Sequence, residues 1–153
     1  MAARTTTADN CRVHDAIESA LYRPPPWTAA YALRVWKLAF HRLEHDPALL
    51  SLPRDARRRM GRALWALFKL RRRGTGYCDA HLEALCAAAD YRPSSLKVGL
   101  RDLWRHRVIR RIPRKVYDPD HWPRGWKTWG AYRQATNAYE PREPDAPSGL
   151  GGP

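Results

Sequence analysis

The chain has 153 residues, with 28 Lys and Arg against 15 Asp and Glu, a formal net charge of +13 at neutral pH. That length holds one domain with a proper core, and no run approaches the ~20 apolar residues of a membrane span. Cys11, Cys78 and Cys86 are too few for a disulfide framework, and Met-Ala-Ala-Arg-Thr-Thr-Thr lacks a signal peptide's apolar run, so a reducing cytoplasmic setting, a bacterial nucleoid or a host cytoplasm, is expected.

Residues 1–9 are small and polar. From Asn10 to about Tyr22 a weak helical pattern places Val13, Ile17, Ala20 and Leu21 on one side, with Asp9 or Asn10 as cap. Arg23-Pro24-Pro25-Pro26 stops it, because proline lacks the N–H a helix interior needs. A clearer helix runs from Thr28, its expected N-cap, to about Glu44. Its apolar stripe is Ala29, Leu33, Trp36, Phe40 and Leu43. Asp46-Pro47 ends it. Residues 54–73 read as the next helix, with Met60, Leu64, Leu67, Phe68 and Trp65 turned inward.

Gly74-Thr75-Gly76 breaks that helix, and Tyr77-Cys78 leaves room for a short strand. Asp79 is the expected N-cap of a helix from Ala80 to Ala89, with Leu82, Leu85, Cys86 and Ala89 inward. A tight turn, Asp90-Tyr91-Arg92, leads to Pro93 at the first position of a further helix reaching about His106. Leu96, Leu100 and Leu103 form its buried side. Two extended pieces follow, Val108–Ile112 and Val116-Tyr117, reading as a two-stranded ribbon with Pro113-Arg114-Lys115 as a basic tip. Beyond Asp118, Trp122, Trp126, Trp129 and Tyr132 recur at helical spacing. Glu140 to Pro153, rich in Pro, Gly and Ala, reads as a disordered tail.

The charge is concentrated. Residues 54–115 hold 18 basic and 5 acidic side chains, and the remainder hold 10 of each. The whole excess therefore lies on one contiguous segment, which points to a polyanionic partner, nucleic acid before an acidic protein or membrane surface. The same segment carries helix, short strand, helix, tight turn, helix and ribbon in that order. From Leu52-Pro53-Arg54-Asp55-Ala56-Arg57, through Leu103 and the step to Val108-Ile109, to Tyr117, it resembles the winged helix-turn-helix domains of phage and plasmid replication proteins and bacterial repressors. Two positions depart from that pattern: Asp90 stands where the turn commonly has glycine, and Arg107 where a small residue precedes the wing.

The resemblance implies double-stranded DNA as partner, with the helix after Pro93 in the major groove. Its outward positions are Ser94, Ser95, Lys97, Val98, Arg101 and Arg105, with Arg92 in the preceding turn. Ser95 and the first backbone N–H groups suit a phosphate. Arg101 suits guanine O6 and N7, and reads as well as a phosphate contact or a surface ion pair. The wing would add Arg110, Arg111, Arg114 and Lys115, and the early turns of the 54–73 helix Arg57 and Arg58, which read equally as a solvated face. Gly61 and Gly99, both inside expected helices, suggest a close crossing at these two positions.

Other signals lead less far. His41-Arg42-Leu43-Glu44-His45 matches an inverted zinc-protease pattern at three positions with no third ligand evident. Cys78, His81 and Cys86 match no common metal-finger spacing. With no nucleophile elbow and no phosphate-binding glycine loop, no catalysis, metal or cofactor is expected. The sequence thus reads as a mainly α fold with a small β-wing, a winged helix-turn-helix with extra N-terminal helices. Residues 1–50 would pack beside it or form a homodimer, 51–117 form the domain, 118–139 a Trp-rich segment and 140–153 the tail. The expected function is sequence-specific duplex binding, as a transcriptional regulator or a replication-associated factor of a mobile element. Two alternatives stay open: RNA or single-strand binding through the Trp-rich segment with Arg124, Lys127 and Arg133, and a protein-interaction module on the same scaffold.

Overall fold

In the computed structural model, which describes residues 16–18, 22–117, 132–134 and 136–143, the chain is mainly helical with two small antiparallel sheets. The helices are α1 (Ala29–His45), α2 (Pro47–Leu50), α3 (Arg54–Lys69), α4 (Leu82–Ala89) and α5 (Pro93–Arg105). The strands are β1 (Ala16–Glu18), β2 (Ile109–Ile112), β3 (Arg114–Tyr117), β4 (Tyr132–Gln134) and β5 (Ala138–Pro141). Among the described residues no helix is long and apolar enough to cross a membrane.

Thr28 caps α1 as expected, its hydroxyl accepting from the Tyr31 N–H at 3.1 Å. The buried face is Ala32, Val35, Trp36 and Ala39, whereas Ala29 and Leu33 of the expected stripe are exposed. Small Ala32 and Ala39 let the helix approach its neighbours closely, which rotates the contact line by about one residue. Trp36 is wholly buried and satisfies its indole by donating to the Thr75 carbonyl at 3.2 Å. Asp46 then serves two helices. Its backbone N–H closes α1 on the Arg42 carbonyl, and its carboxylate accepts from the Ala48 N–H to open α2.

α3 buries Met60, Ala63, Leu64, Ala66 and Leu67. Trp65 does not turn inward as expected: it is 48% exposed and rests against the rings of Phe40 and Phe68. Residue 65 lies about 100° from Leu64 on the helix, so burying Leu64 and Leu67 leaves it at the rim. The helix ends at Lys69, short of the expected Arg73, and Arg72 turns away to pair with Asp79 at 2.6 Å. That pairing removes Asp79 from its expected capping role. His81 caps α4 instead, Nδ1 accepting from the Ala84 N–H at 3.3 Å. Leu85 and Ala89 of α4 and Leu96, Leu100 and Leu103 of α5 join the α3 residues, Trp36, Val108 and Ile109 in one core.

The strands depart most from expectation. Ala16–Glu18, expected within a helix, is a strand whose register sets Ala16 opposite Val116 and Glu18 opposite Arg114. The expected ribbon of Ile109–Ile112 with Val116-Tyr117 does not form. Only Pro113 separates β2 from β3, and a hairpin needs about two loop residues to reverse direction. β2 pairs instead with β5, Ile109 opposite Pro141 and Ile112 opposite Ala138. β3 becomes the middle strand between β1 and β4. Tyr132, expected on a Trp-rich helix, lies in β4, and Glu140 and Pro141, expected in a disordered tail, lie in β5. Trp122, Trp126, Trp129 and residues 144–153 lie outside the described residues.

Candidate nucleic-acid interface

The α4–α5 pair is held by its turn and by one close crossing. Asp90 ends α4 with φ 56° and ψ 47°, and Pro93 opens α5. Arg107, just after α5, has φ 59°; it and Asp90 are the non-glycine residues with positive φ among those described. Both positions where the sequence departs from the winged-helix pattern are thus left-handed, the conformation glycine adopts without strain. Each such turn presents carbonyls to an arginine from another helix. Arg62 of α3 donates to the carbonyls of Ala89 and Asp90 at 3.3 and 3.4 Å and lies over the Tyr91 ring. Arg42 of α1 donates to the carbonyls of Arg107 and His106 at 2.7 and 3.2 Å. Cations at helix C-termini oppose the negative end of the macrodipole, so these two arginines hold the fold.

Gly99 marks the crossing of α5 on α3: a Cβ there would stand 2.6 Å from the Arg59 carbonyl oxygen and 3.1 Å from Ala63 Cβ. Gly61 takes no part, for a Cβ at that position meets nothing within 4 Å. The expected two-glycine contact is therefore corrected to Gly99 against the Arg59–Ala63 turn.

With Leu96, Gly99, Leu100 and Leu103 buried, the opposite side of α5 presents Ser94, Lys97, Arg101, Trp104 and Arg105 to solvent, and Ser95 and Val98 lie half-buried beside them. Arg92 is exposed at the cap position and makes no side-chain capping bond. The first N–H groups of α5 are thus left open, the arrangement that accepts an anion. Arg101 has only a 3.6 Å approach to neighbouring Asp102, worth little on an exposed surface.

The strands contribute unevenly. Arg111 stacks its guanidinium on Trp104, 3.9 Å from a ring centroid. Arg110 donates to Glu140 at 2.6 Å, and that carboxylate, 2% exposed, also accepts from the Tyr22 hydroxyl. Arg110 therefore arrives neutralised. Arg114 is not at a basic tip. It is 3% exposed, donates from Nε to the Thr136 carbonyl at 2.9 Å and faces Asp79 at 3.8 Å. A central strand has no tip, and burial of this charge is compensated from inside the fold. Lys115, half-buried, shares that central strand. Arg57 and Arg58 line a groove between α1 and α3 with Phe40, Leu43 and Glu44, whereas α3 meets α5 at Arg59 and Ala63. They are not brought together with the α5 row.

The row that is brought together borders a cleft of about 390 Å³, lined by Lys97, Arg101 and Trp104 of α5, Arg111 of β2, and Asn137 and Tyr139. Burial pushes the Tyr139 phenol up, opposed by its hydrogen bond with Asn137 and by Arg111, and the net effect keeps it protonated. Sequence reasoning missed Trp104, although its spacing of three from Arg101 and seven from Lys97 places it on the same face. Tyr139 and Asn137 gave no local signal, because the β2–β5 pairing alone brings them here.

Of the other candidates, His41 and His45 stack at 4.3 Å on an exposed surface, and no group of three possible metal ligands occurs among the described residues. Cys78 is buried where its backbone bridges Tyr139, and burial pushes the Cys86 thiol up. Comparison with family models, curated proteins and solved structures returns no match.

Proposed function

We propose that this chain is a double-stranded DNA-binding protein that reads its site with α5 in the major groove, a helix-turn-helix flanked by the β2–β5 sheet in place of a hairpin wing. The observation that carries the reading is the division of α5. One side is locked to α3 through Gly99 and three leucines, and the other presents Ser94, Lys97, Arg101 and Arg105 in a single solvent-facing row above an uncapped N-terminus. Small hydroxyls and N–H groups at the helix start suit phosphate, and Lys and Arg further along reach the phosphates flanking the groove, where Arg101 can also meet a base edge. The role is that of a transcriptional regulator or a replication-associated factor of a mobile element.

The structure lowers the number of cations available. Arg42, Arg62, Arg72, Arg110 and Arg114 are engaged within the fold. About five phosphate contacts remain for Arg92, Lys97, Arg101, Arg105 and Arg111, giving a log–log salt slope near −4.5 and a loss of roughly 500-fold between about 50 and 200 mM salt. Fluorescence anisotropy against duplex DNA, single-stranded DNA and RNA across a salt series tests this, with a Lys97→Ala, Arg101→Ala variant alongside. A steep duplex slope that shrinks by about two contacts in the variant supports the reading. Preference for single strands, or an unaltered slope, refutes it.

A further inference from the structure

The cleft beside α5 holds more than a phosphate track requires. Phosphate is satisfied by cations and N–H groups, yet the lining here also includes an indole, an amide and a phenol. Trp104 is 39% exposed and its ring lines the cleft. Arg111, which also lines the cleft, lies over one face of the ring at 3.9 Å. Opposite, Asn137 bonds to Tyr139, and its Oδ1 is buried without a hydrogen-bond partner among the described residues. A buried amide oxygen with nothing to accept from is unfavourable until a donor arrives. Lys97 and Arg101 stand on the same cleft. Its volume, about 390 Å³, falls within the ~300–1,000 Å³ range of small-molecule sites.

We infer that this cleft takes one unpaired nucleotide of the bound DNA, its base stacked on Trp104 and its phosphate on Lys97 and Arg101. The inference rests on the reading of α5 as the DNA-contacting helix and adds to it that the preferred target is a duplex with an unstacked base, not a continuous one. Asn137 Oδ1 accepts from an N–H on the base edge, and Tyr139, protonated, supplies a hydroxyl beside it. Because every base has a π-face, stacking contributes affinity with little sequence preference. An already extrahelical base enters without the cost of unpairing.

The test uses the full chain and three labelled duplexes of one sequence: continuous, carrying one extrahelical 2-aminopurine nucleotide, and carrying one extrahelical abasic sugar. The 2-aminopurine duplex is expected to bind about tenfold tighter than the continuous one, equivalent to ~1.4 kcal/mol, with its fluorescence quenched on binding. The abasic duplex keeps the phosphate and loses the base, so it binds like the continuous one. Trp104→Leu removes the preference, so that the 2-aminopurine and continuous duplexes bind alike, and Trp104→Phe, which keeps a ring, retains part of it. Equal binding to all three duplexes, or a preference that survives Trp104→Leu, overturns this inference while α5 remains a duplex reader. Failure to bind any of them overturns both.

Discussion

Gly61 and Gly99 lie inside helices that pack on one another, yet the same substitution has opposite signs at the two. Gly61→Ala adds a methyl where nothing stands within 4 Å. It therefore gains the full helix propensity difference, about 1 kcal/mol, a rise in Tm of about 2–4 °C for a domain of this size. Gly99→Ala gains the same propensity, but its Cβ falls 2.6 Å from the Arg59 carbonyl oxygen, where ordinary contact begins near 3.4 Å. The neighbour is helix backbone and cannot swing aside, so α5 must move off α3 by about 0.8 Å. A gap of that size forfeits a quarter to a half of each dispersion contact across the interface, and overpacking of this kind costs ~1–3 kcal/mol. Ala63 Cβ at 3.1 Å blocks the easiest sideways relief. With that relief blocked the cost lies toward the upper end, and less the propensity gained we expect Gly99→Ala to lose about 1–2 kcal/mol net, read by urea unfolding followed by circular dichroism. A Gly99→Ala protein as stable as the parent, or a destabilised Gly61→Ala, would refute the crossing described above.

Replacing either left-handed residue by glycine should stabilise the fold by about 0.5–1 kcal/mol, with Arg107→Gly gaining more than Asp90→Gly because Asp tolerates this conformation better. The denaturant midpoint would rise at constant m, and a loss of stability at either position counts against the turn geometry. Asp79→Ala leaves the buried Arg114 guanidinium without its carboxylate and should cost about 3 kcal/mol, the lower end for a broken buried pair because Arg72 is half-exposed; a thermal midpoint unchanged within about 2 °C contradicts this. Three phenols have ionisations raised above the ordinary 10.0: Tyr22 by burial and its bond to Glu140, Tyr31 by its bond to Glu143, and Tyr139 by burial. The unfolded chain releases these protons near pH 10 while the folded chain keeps them, so stability is level below about pH 10 and falls above it. Unfolding free energies measured from about pH 8 to 11 check the sign, and Tyr22→Phe should flatten the alkaline limb.

What was legible in the sequence is what is local. The spacing of Leu96, Leu100 and Leu103, the cap at Thr28, proline at the start of α5 and the left-handed need at Asp90 each depend on a few neighbouring residues, and each is met in the structure. Trp65 shows the limit of periodicity: its turn is amphipathic, but with Leu64 and Leu67 on the buried line its ring is left at the rim. Asp79 shows a local signal overridden at a distance, since a good capping residue is worth more beside Arg72 and a buried Arg114. Of the candidate site, the α5 row was readable from helical spacing. Its far wall was not, because Ile112 pairs with Ala138 across 25 intervening residues and no pattern in either strand names the other.

The pairing of β2 with β5 also sets an order of events during synthesis. α3, α4 and α5 all precede Ala138–Pro141 in the chain, so until that last strand is made Ile109–Ile112 offers an unpaired edge. That edge carries two isoleucines that the finished fold buries, and an open strand of this kind invites pairing with another chain. The adjacent Arg110 and Arg111 keep it charged until Glu140 arrives to neutralise one of them. The same two arginines that border α5 in the folded chain are thus the kind of charged residue that discourages such an edge from pairing with another chain.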